Sequence, residues 1–179
     1  MNLLPFLYSP QATDDSESDM QRSIALIMEQ CEFGGINPSV YREVGIPKIN
    51  RISDVIVKVT GRQIVNIECK LTDHSSVLAQ AKDHLKWADY SYICLHAFAP
   101  TPNYFIQKII DLGIGLLLWA PQLTIEVIPA YHNTIKKGKD MKLHDRVNKK
   151  LLELDQLKTG QSENQNQLSI SHILINPTD

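Results

Sequence analysis

The sequence is short of the features that mark several specialised protein classes. Its longest apolar run, Ile114–Ala120, falls far below the roughly 20 residues needed to cross a bilayer. The opening stretch Met1–Pro10 is apolar but carries no basic residue and is interrupted by Pro5. That pattern reads against a signal peptide. Cysteine is scarce: Cys31, Cys69 and Cys94 stand far apart, with no CxxC and no Cys/His cluster. Neither a disulfide framework nor a structural zinc site is expected. Charge of neither sign dominates, since 18 Lys+Arg against 20 Asp+Glu leave a net −2. Composition alone therefore points to no nucleic-acid partner. There is no internal repeat. These absences lead us to expect a reduced, cytoplasmic chain with no membrane association.

What is present suits a globular domain. At 179 residues, with 43% hydrophobic and 21% charged, one ordinary domain would bury roughly 70% of its unfolded surface. Charge is unevenly spread. Residues 1–19 hold four acids (Asp14, Asp15, Glu17, Asp19) and no base, whereas residues 135–158 hold eight bases against four acids. We divide the chain into an acidic segment (1–18), a core domain (19–134), a basic helix (135–158), and a polar linker with a tail strand (159–179). The linker is residues 159–167 and the tail strand Leu168–Ile175.

Periodicity orders the core. Met20, Ile24, Ile27, Met28 and Cys31 recur at helical spacing, predicting a helix over 19–33 capped by Ser18 or Asp19 and stopped by Gly34-Gly35. A strand near 40–47 follows. Arg51–Thr60 and Gln63–Leu71 then read as a hairpin turning at Thr60-Gly61-Arg62. Ser75–Tyr90 reads as a helix, Tyr92–Phe98 as a strand and Asn103–Leu112 as a helix. Ile114–Ala120 and Leu123–Ile128 read as strands, and Asp140–Leu154 as a basic amphipathic helix. Strand pairs followed by strand–helix units predict an α/β protein with a mixed central sheet flanked by helices.

The hairpin carries the chemistry. Side chains alternate across a strand, so Val65, Ile67, Cys69 and Leu71 share an apolar face while Asn66, Glu68 and Lys70 share the other. Asp54 stands alone among Ile and Val on the partner strand. The midpoint of 54 and 68 is 61, a glycine, so a turn there sets Asp54 roughly opposite Glu68. Two carboxylates beside a lysine suit a hard divalent cation, which prefers oxygen ligands. Such a cation lowers the pKa of bound water and stabilises charge on a phosphoryl oxygen. The lysine can activate the water or stabilise the transition state.

The run Ile-Ser-Asp54-Val-Ile-Val, then Glu68-Cys69-Lys70 after thirteen intervening residues, resembles the PD-(D/E)xK nuclease superfamily, which includes restriction endonucleases and Holliday-junction resolvases. The family's core order is αβββαβ, and residues 19–98 read in that order; the resemblance is loose beyond them. It implies a restriction-endonuclease-like core followed by the C-terminal helix and tail. It also implies an endonuclease hydrolysing DNA, with Asp54 and Glu68 holding Mg2+ (or Mn2+ in its place) and Lys70 as the catalytic lysine. A further acid on the first helix would be Glu29 or Glu32. A glutamine on the helix after the lysine strand would be Gln80. Ser53 departs from the motif, which has proline there.

Plainer readings stand beside these. Asp54 and Lys70 could form a structural ion pair, and Glu29 and Glu32 could be solvated. Cys69 fits a buried core thiol better than a nucleophile. His74, His84 and His96 show no metal-ligand spacing and read as surface or local hydrogen-bonding residues. Trp87, Trp119, Tyr90 and Tyr92 read as core. Lys136, Lys137, Lys139, Lys142 and Arg146 form either a solvated helix face or a phosphate-contact surface, with Lys48, Arg51 and Arg62 flanking the hairpin. Two function classes follow. One is a metal-dependent nuclease on DNA, with RNA also open, working as a homodimer. The other is a catalytically silent module of the same fold that binds nucleic acid or a protein partner through its C-terminal tail.

Overall fold

The computed structural model describes residues 7–8, 16–32, 37–59, 63–121, 123–134 and 138–173. The elements in order are β1 (Leu7–Tyr8), α1 (Glu17–Gln30), β2 (Ser39–Ile46), β3 (Arg51–Lys58), β4 (Ile64–Lys70), α2 (His74–His84), β5 (Tyr90–His96), α3 (Asn103–Leu112), β6 (Gly115–Ala120), β7 (Leu123–Ile128) and α4 (Met141–Ile173). They form an α/β structure around one seven-stranded sheet of order β1-β7-β6-β5-β4-β3-β2. β4, β5 and β6 run parallel, joined through α2 and α3, and the remaining pairs are antiparallel. The sheet is therefore mixed, as the element order anticipates.

Helices cover both faces. α1 lays Met20, Ile24 and Met28 against Val55, Val57, Val65, Ile67 and Cys69. On the other face α4 packs Leu143, Val147 and Leu151 against Tyr41, Ile56 and Ile64. Beside it, Val77 and Ala81 of α2 join Phe105 and Ile109 of α3 over Ile93, Leu95 and Leu116. Burying one such aliphatic side chain contributes roughly 1.5–3 kcal/mol, so the β4 residues packed from both sides tie the two layers together. Trp87, Trp119 and Tyr92 lie in this core, as expected.

The β3–β4 pairing runs Val55↔Ile67, Ile56↔Asn66, Val57↔Val65, Lys58↔Ile64. The next step of that register sets Asp54 against Glu68, the opposition implied by a turn at Gly61. Gly61 itself lies outside the described residues. On the other side of β3 the pairing steps from Arg42↔Val55 to Val44↔Ser53, and Glu43 between them takes a left-handed φ of 52°. Asp54 therefore sits just past the last β3–β4 pair and at the one position the β2–β3 ladder skips before it resumes at Val44↔Ser53.

Several expected boundaries move. α1 starts at Glu17 with Ser16 as its cap, the Ser16 hydroxyl accepting from Asp19 N–H at 3.1 Å. The cap is thus neither Ser18 nor Asp19, and the supposed separate acidic segment contributes Glu17 and Ser18 to α1. Leu7–Tyr8 of that segment pairs with β7. α2 ends at His84 instead of Tyr90, because tertiary contacts override its helical periodicity. Trp87 and Ala88 turn into the α4 cluster, and the Asp89 carboxylate accepts from Ile64 N–H at 2.8 Å. α4 continues to Ile173, through the expected linker 159–167 and most of the expected strand Leu168–Ile175. Glu163, Leu168 and the glutamines there favour helix, and Gly160 costs only about 1 kcal/mol relative to alanine. Residues 174 and 175 lie outside the described residues. Among the described residues no helix is long and apolar enough to cross a membrane.

Candidate active site at the end of β4

β4 is buried along its length until Lys70. Its Glu68 is 0% exposed, a place where a carboxylate is costly unless paired. Neither Glu68 oxygen has a hydrogen-bond partner. The nearest polar contact is His84 Nε2, 3.1 Å from Oε1 but outside hydrogen-bond alignment. Trp87 Nε1–H donates to His84 Nδ1 at 3.0 Å. An indole N–H can only donate, so Nδ1 accepts and the ring proton sits on Nε2, facing the carboxylate.

Asp54 approaches from β3. Its Oδ2 accepts the backbone N–H of Cys69 at 2.8 Å, filling the position the broken ladder leaves. Desolvation by burial, followed by the charge of Glu68, pushes the Asp54 carboxyl up to about 6; the Cys69 bond and Lys70 oppose the shift. A carboxylate whose ionised form is opposed by burial and by a neighbouring carboxylate belongs to a site that favours added positive charge.

Lys70 stands at the open end of the strand and reaches Glu17 Oε2 at 2.6 Å. The hydrogen bond to Glu17 is the chief cause holding its ammonium above the ordinary lysine range. Lys70 is therefore a cation here and not a neutral amine.

α1 thus brings an acid to this group, but from its first turn. Glu29 and Glu32, the acids expected there, are exposed, and Glu29 lies about 18 Å along the helix axis from Glu17 at 1.5 Å per residue. The topology seats the N-terminal end of α1 beside Lys70, so Glu17 takes the position. Gln80 precedes His84 by one turn on α2, on the same helix face, and its Oε1 is buried without a partner. His84 itself is 0% exposed and bonded to Trp87 three residues on, so of its two expected placements it takes the local hydrogen-bonding one and not the surface one. Its i,i+4 relation to Gln80 is the only sequence signal that could have singled it out. Ser53, where the family motif carries proline, is buried and donates to Asn66 Oδ1. Cys69 is a core thiol, buried against Cys94, and that contact is the first cause of its strongly raised pKa. Among the described residues no group of three or more His, Cys, Asp or Glu is disposed to hold a metal. A cation here would rest on two carboxylates and complete its shell from water or substrate.

The expected phosphate-contact residues divide into different settings. Arg51 pairs with Asp83 at 3.0 Å. Lys139 is buried and bonded to Asp89, so it is removed from any surface role. Burial is affordable there because the Asp89 carboxylate neutralises the ammonium. Lys48, Lys142 and Arg146 are exposed. Arg62, Lys136 and Lys137 lie outside the described residues.

The chain matches no protein-family model and no curated protein. Among solved structures it is similar to a protein of unknown function from Silicibacter pomeroyi. The two share 17% identity with a TM-score of 0.49, over 72% of this chain and 82% of that one.

Proposed function

We propose that the chain is a metal-dependent nuclease of the PD-(D/E)xK type, with a restriction-endonuclease-like core, acting on DNA. The observation that carries this reading is Glu68: a fully buried carboxylate with both oxygens unbonded, beside the raised carboxyl of Asp54. A purely structural carboxylate at that depth would be hydrogen-bonded, whereas Glu68 has only the unaligned His84 Nε2 at 3.1 Å beside it. The donor set suits a hard divalent cation such as Mg2+ or Mn2+, held by Asp54 and Glu68 and otherwise by water and phosphate oxygens. When bound, the cation would acidify a water and neutralise charge on a phosphoryl oxygen.

The chain's own groups take distinct parts. Asp54 is held by the Cys69 N–H, which fixes one oxygen and leaves the other for a ligand. His84, locked by Trp87, holds its Nε2 3.1 Å from Glu68 Oε1. Lys70, as an ammonium, serves better to stabilise negative charge developing on the phosphate than to take a proton from water. Gln80 offers an unbonded oxygen on the same side as His84.

The Lys70–Glu17 pair favours a second reading, the catalytically silent module, because it occupies the lysine in a structural contact. One assay separates the two. Plasmid, linear, branched and single-stranded DNA and RNA are incubated with Mn2+, with Lys70→Ala as control. The nuclease reading expects cleavage by the wild type and its loss in Lys70→Ala. Equal cleavage by both proteins, or none by either, sinks it.

A further inference from the structure

A second cluster of charge lies outside the carboxylate site. A cleft of about 510 Å³ is lined by Lys48, Lys86, Asp140, Lys142, Leu143 and Arg146 among others. Four cations thus face one carboxylate, in a chain whose net charge is −2. Asp140 does not cancel them freely. Its Oδ1 accepts from Lys142 N–H at 2.9 Å and Leu143 N–H at 3.2 Å, capping the start of α4. Lys86 shares Asp83 with Arg51. Lys48, Lys142 and Arg146 have no ion-pair partner among the described residues. Crowding unpaired cations is unfavourable in the empty cleft, and it becomes favourable once an anion enters.

The walls are fixed by the fold. Asp140 N–H donates to Lys86 C=O at 2.7 Å, joining the start of α4 to the turn after α2. Leu143 is buried in the α4 core cluster, which Ile49 also packs against. Lys48 and Asn50 hold left-handed φ values of 69° and 48°, and such backbone strain costs on the order of 1–3 kcal/mol per residue. The cleft is tied to the strand of Asp54 by an ion-pair network. Lys86 shares Asp83 with Arg51, and Arg51 opens the strand that carries Asp54.

We propose that this cleft is a subsite for a backbone phosphate of the nucleic acid, separate from the phosphate cut at Asp54 and Glu68. The inference rests on the nuclease reading for its substrate and on the cleft for its chemistry. A phosphodiester oxygen matches a guanidinium and ammonium groups without any base-specific contact. The subsite would set the register of the strand and leave sequence unread.

The test is fluorescence anisotropy of labelled single-stranded DNA, duplex DNA and RNA, in Ca2+ so that binding is read apart from cleavage. Lys142 and Arg146 are exposed, and the Lys142→Ala/Arg146→Ala protein should keep the wild-type urea midpoint. Its Kd for the preferred oligonucleotide should rise about tenfold, with a salt slope shallower by about 1–2. Lys149→Ala, exposed on the same helix outside the cleft, should stay within about twofold. Unchanged affinity and slope in the double variant overturn the proposal, and so does a wild type that binds no oligonucleotide. A cleft that takes inorganic phosphate, lost in the double variant, while oligonucleotide affinity is untouched is a small-anion site and also overturns it. Lys70→Ala keeps the two readings apart. If it cuts like wild type while the double variant loses binding, the nuclease reading fails and the subsite stands. The reverse pattern removes the subsite alone.

Discussion

Asp89 and Glu68 are both buried carboxylates set against opposite ends of β4, and the fold treats them differently. Asp89 accepts Ile64 N–H at 2.8 Å and the Lys139 ammonium, with His132 and His144 nearby. Its cluster also fastens the chain before α4, where Asn133 N–H donates to Asp89 C=O at 2.7 Å and His144 Nδ1 lies 2.8 Å from Trp87 C=O. Glu68 has a histidine within 3.1 Å and no aligned bond at all. The first arrangement is a completed structural joint. The second retains unbonded acceptors beside a second carboxylate, the arrangement on which the proposed cation site rests. Burial of a charged residue is thus a poor guide to function, and its unsatisfied remainder a better one.

The sharpest way to break this contrast is Lys70→Ala. Removing one preorganised charge from a phosphoryl-transfer site typically costs about 10²–10³ in rate. We expect a loss of that size or more in Mn2+-dependent cleavage, while the half-exposed position leaves the urea midpoint nearly unchanged. Asp89→Ala should do the opposite. Leaving Lys139 buried and unpaired costs about 3–5 kcal/mol, read as a large drop in the urea midpoint. If Asp89→Ala is harmless, the joint is not structural and the comparison fails.

Asp54→Asn sharpens it from the other side. The Asp54 carboxyl is raised from 3.8 to about 6, so the metal-free folded state disfavours its ionised form. That penalty is absent below pH 3.8, grows as pH rises between the two values and is complete above about 6. At about 1.4 kcal/mol per unit, Asp54→Asn should stabilise the metal-free protein at pH 7 by up to about 3 kcal/mol. At pH 3.5 it should do almost nothing. Urea melts at the two pH values check this, and equal effects at both would remove the electrostatic account. The smallest contrast concerns α1. Glu17→Gln should change the cleavage rate severalfold because Glu17 touches Lys70, whereas Glu29→Gln should stay within about twofold.

The hairpin register was legible in the residues themselves. Strand alternation separated Cys69 from Glu68, and the Gly61 midpoint anticipated the observed register. Asn103–Leu112 and Leu123–Ile128 also keep their expected bounds, since Pro102, Gly113 and Pro121-Gln122 punctuate them locally. What escaped the sequence was set by distant contacts. Periodicity along α1 cannot say which end meets Lys70, so Glu29 and Glu17 were indistinguishable in rank until the sheet order placed them. Ala88 continues the helical pattern of α2, yet packing against α4 ends the helix at His84. Lys139 sits in a basic run and is drawn inward by Asp89, a partner fifty positions away. His84 gains its meaning only from the strand that α2 crosses.

The central claim is that the unbonded oxygens of Glu68, with the Asp54 carboxylate beside them, receive a divalent cation. Isothermal titration of Mn2+ into the purified chain, with and without DNA, tests it most directly. The account predicts one ion per chain in the wild type and none in Asp54→Asn or Glu68→Gln, each checked for folding by urea melt. A wild type that takes no Mn2+ under either condition, or variants that bind it as the wild type does, would contradict it.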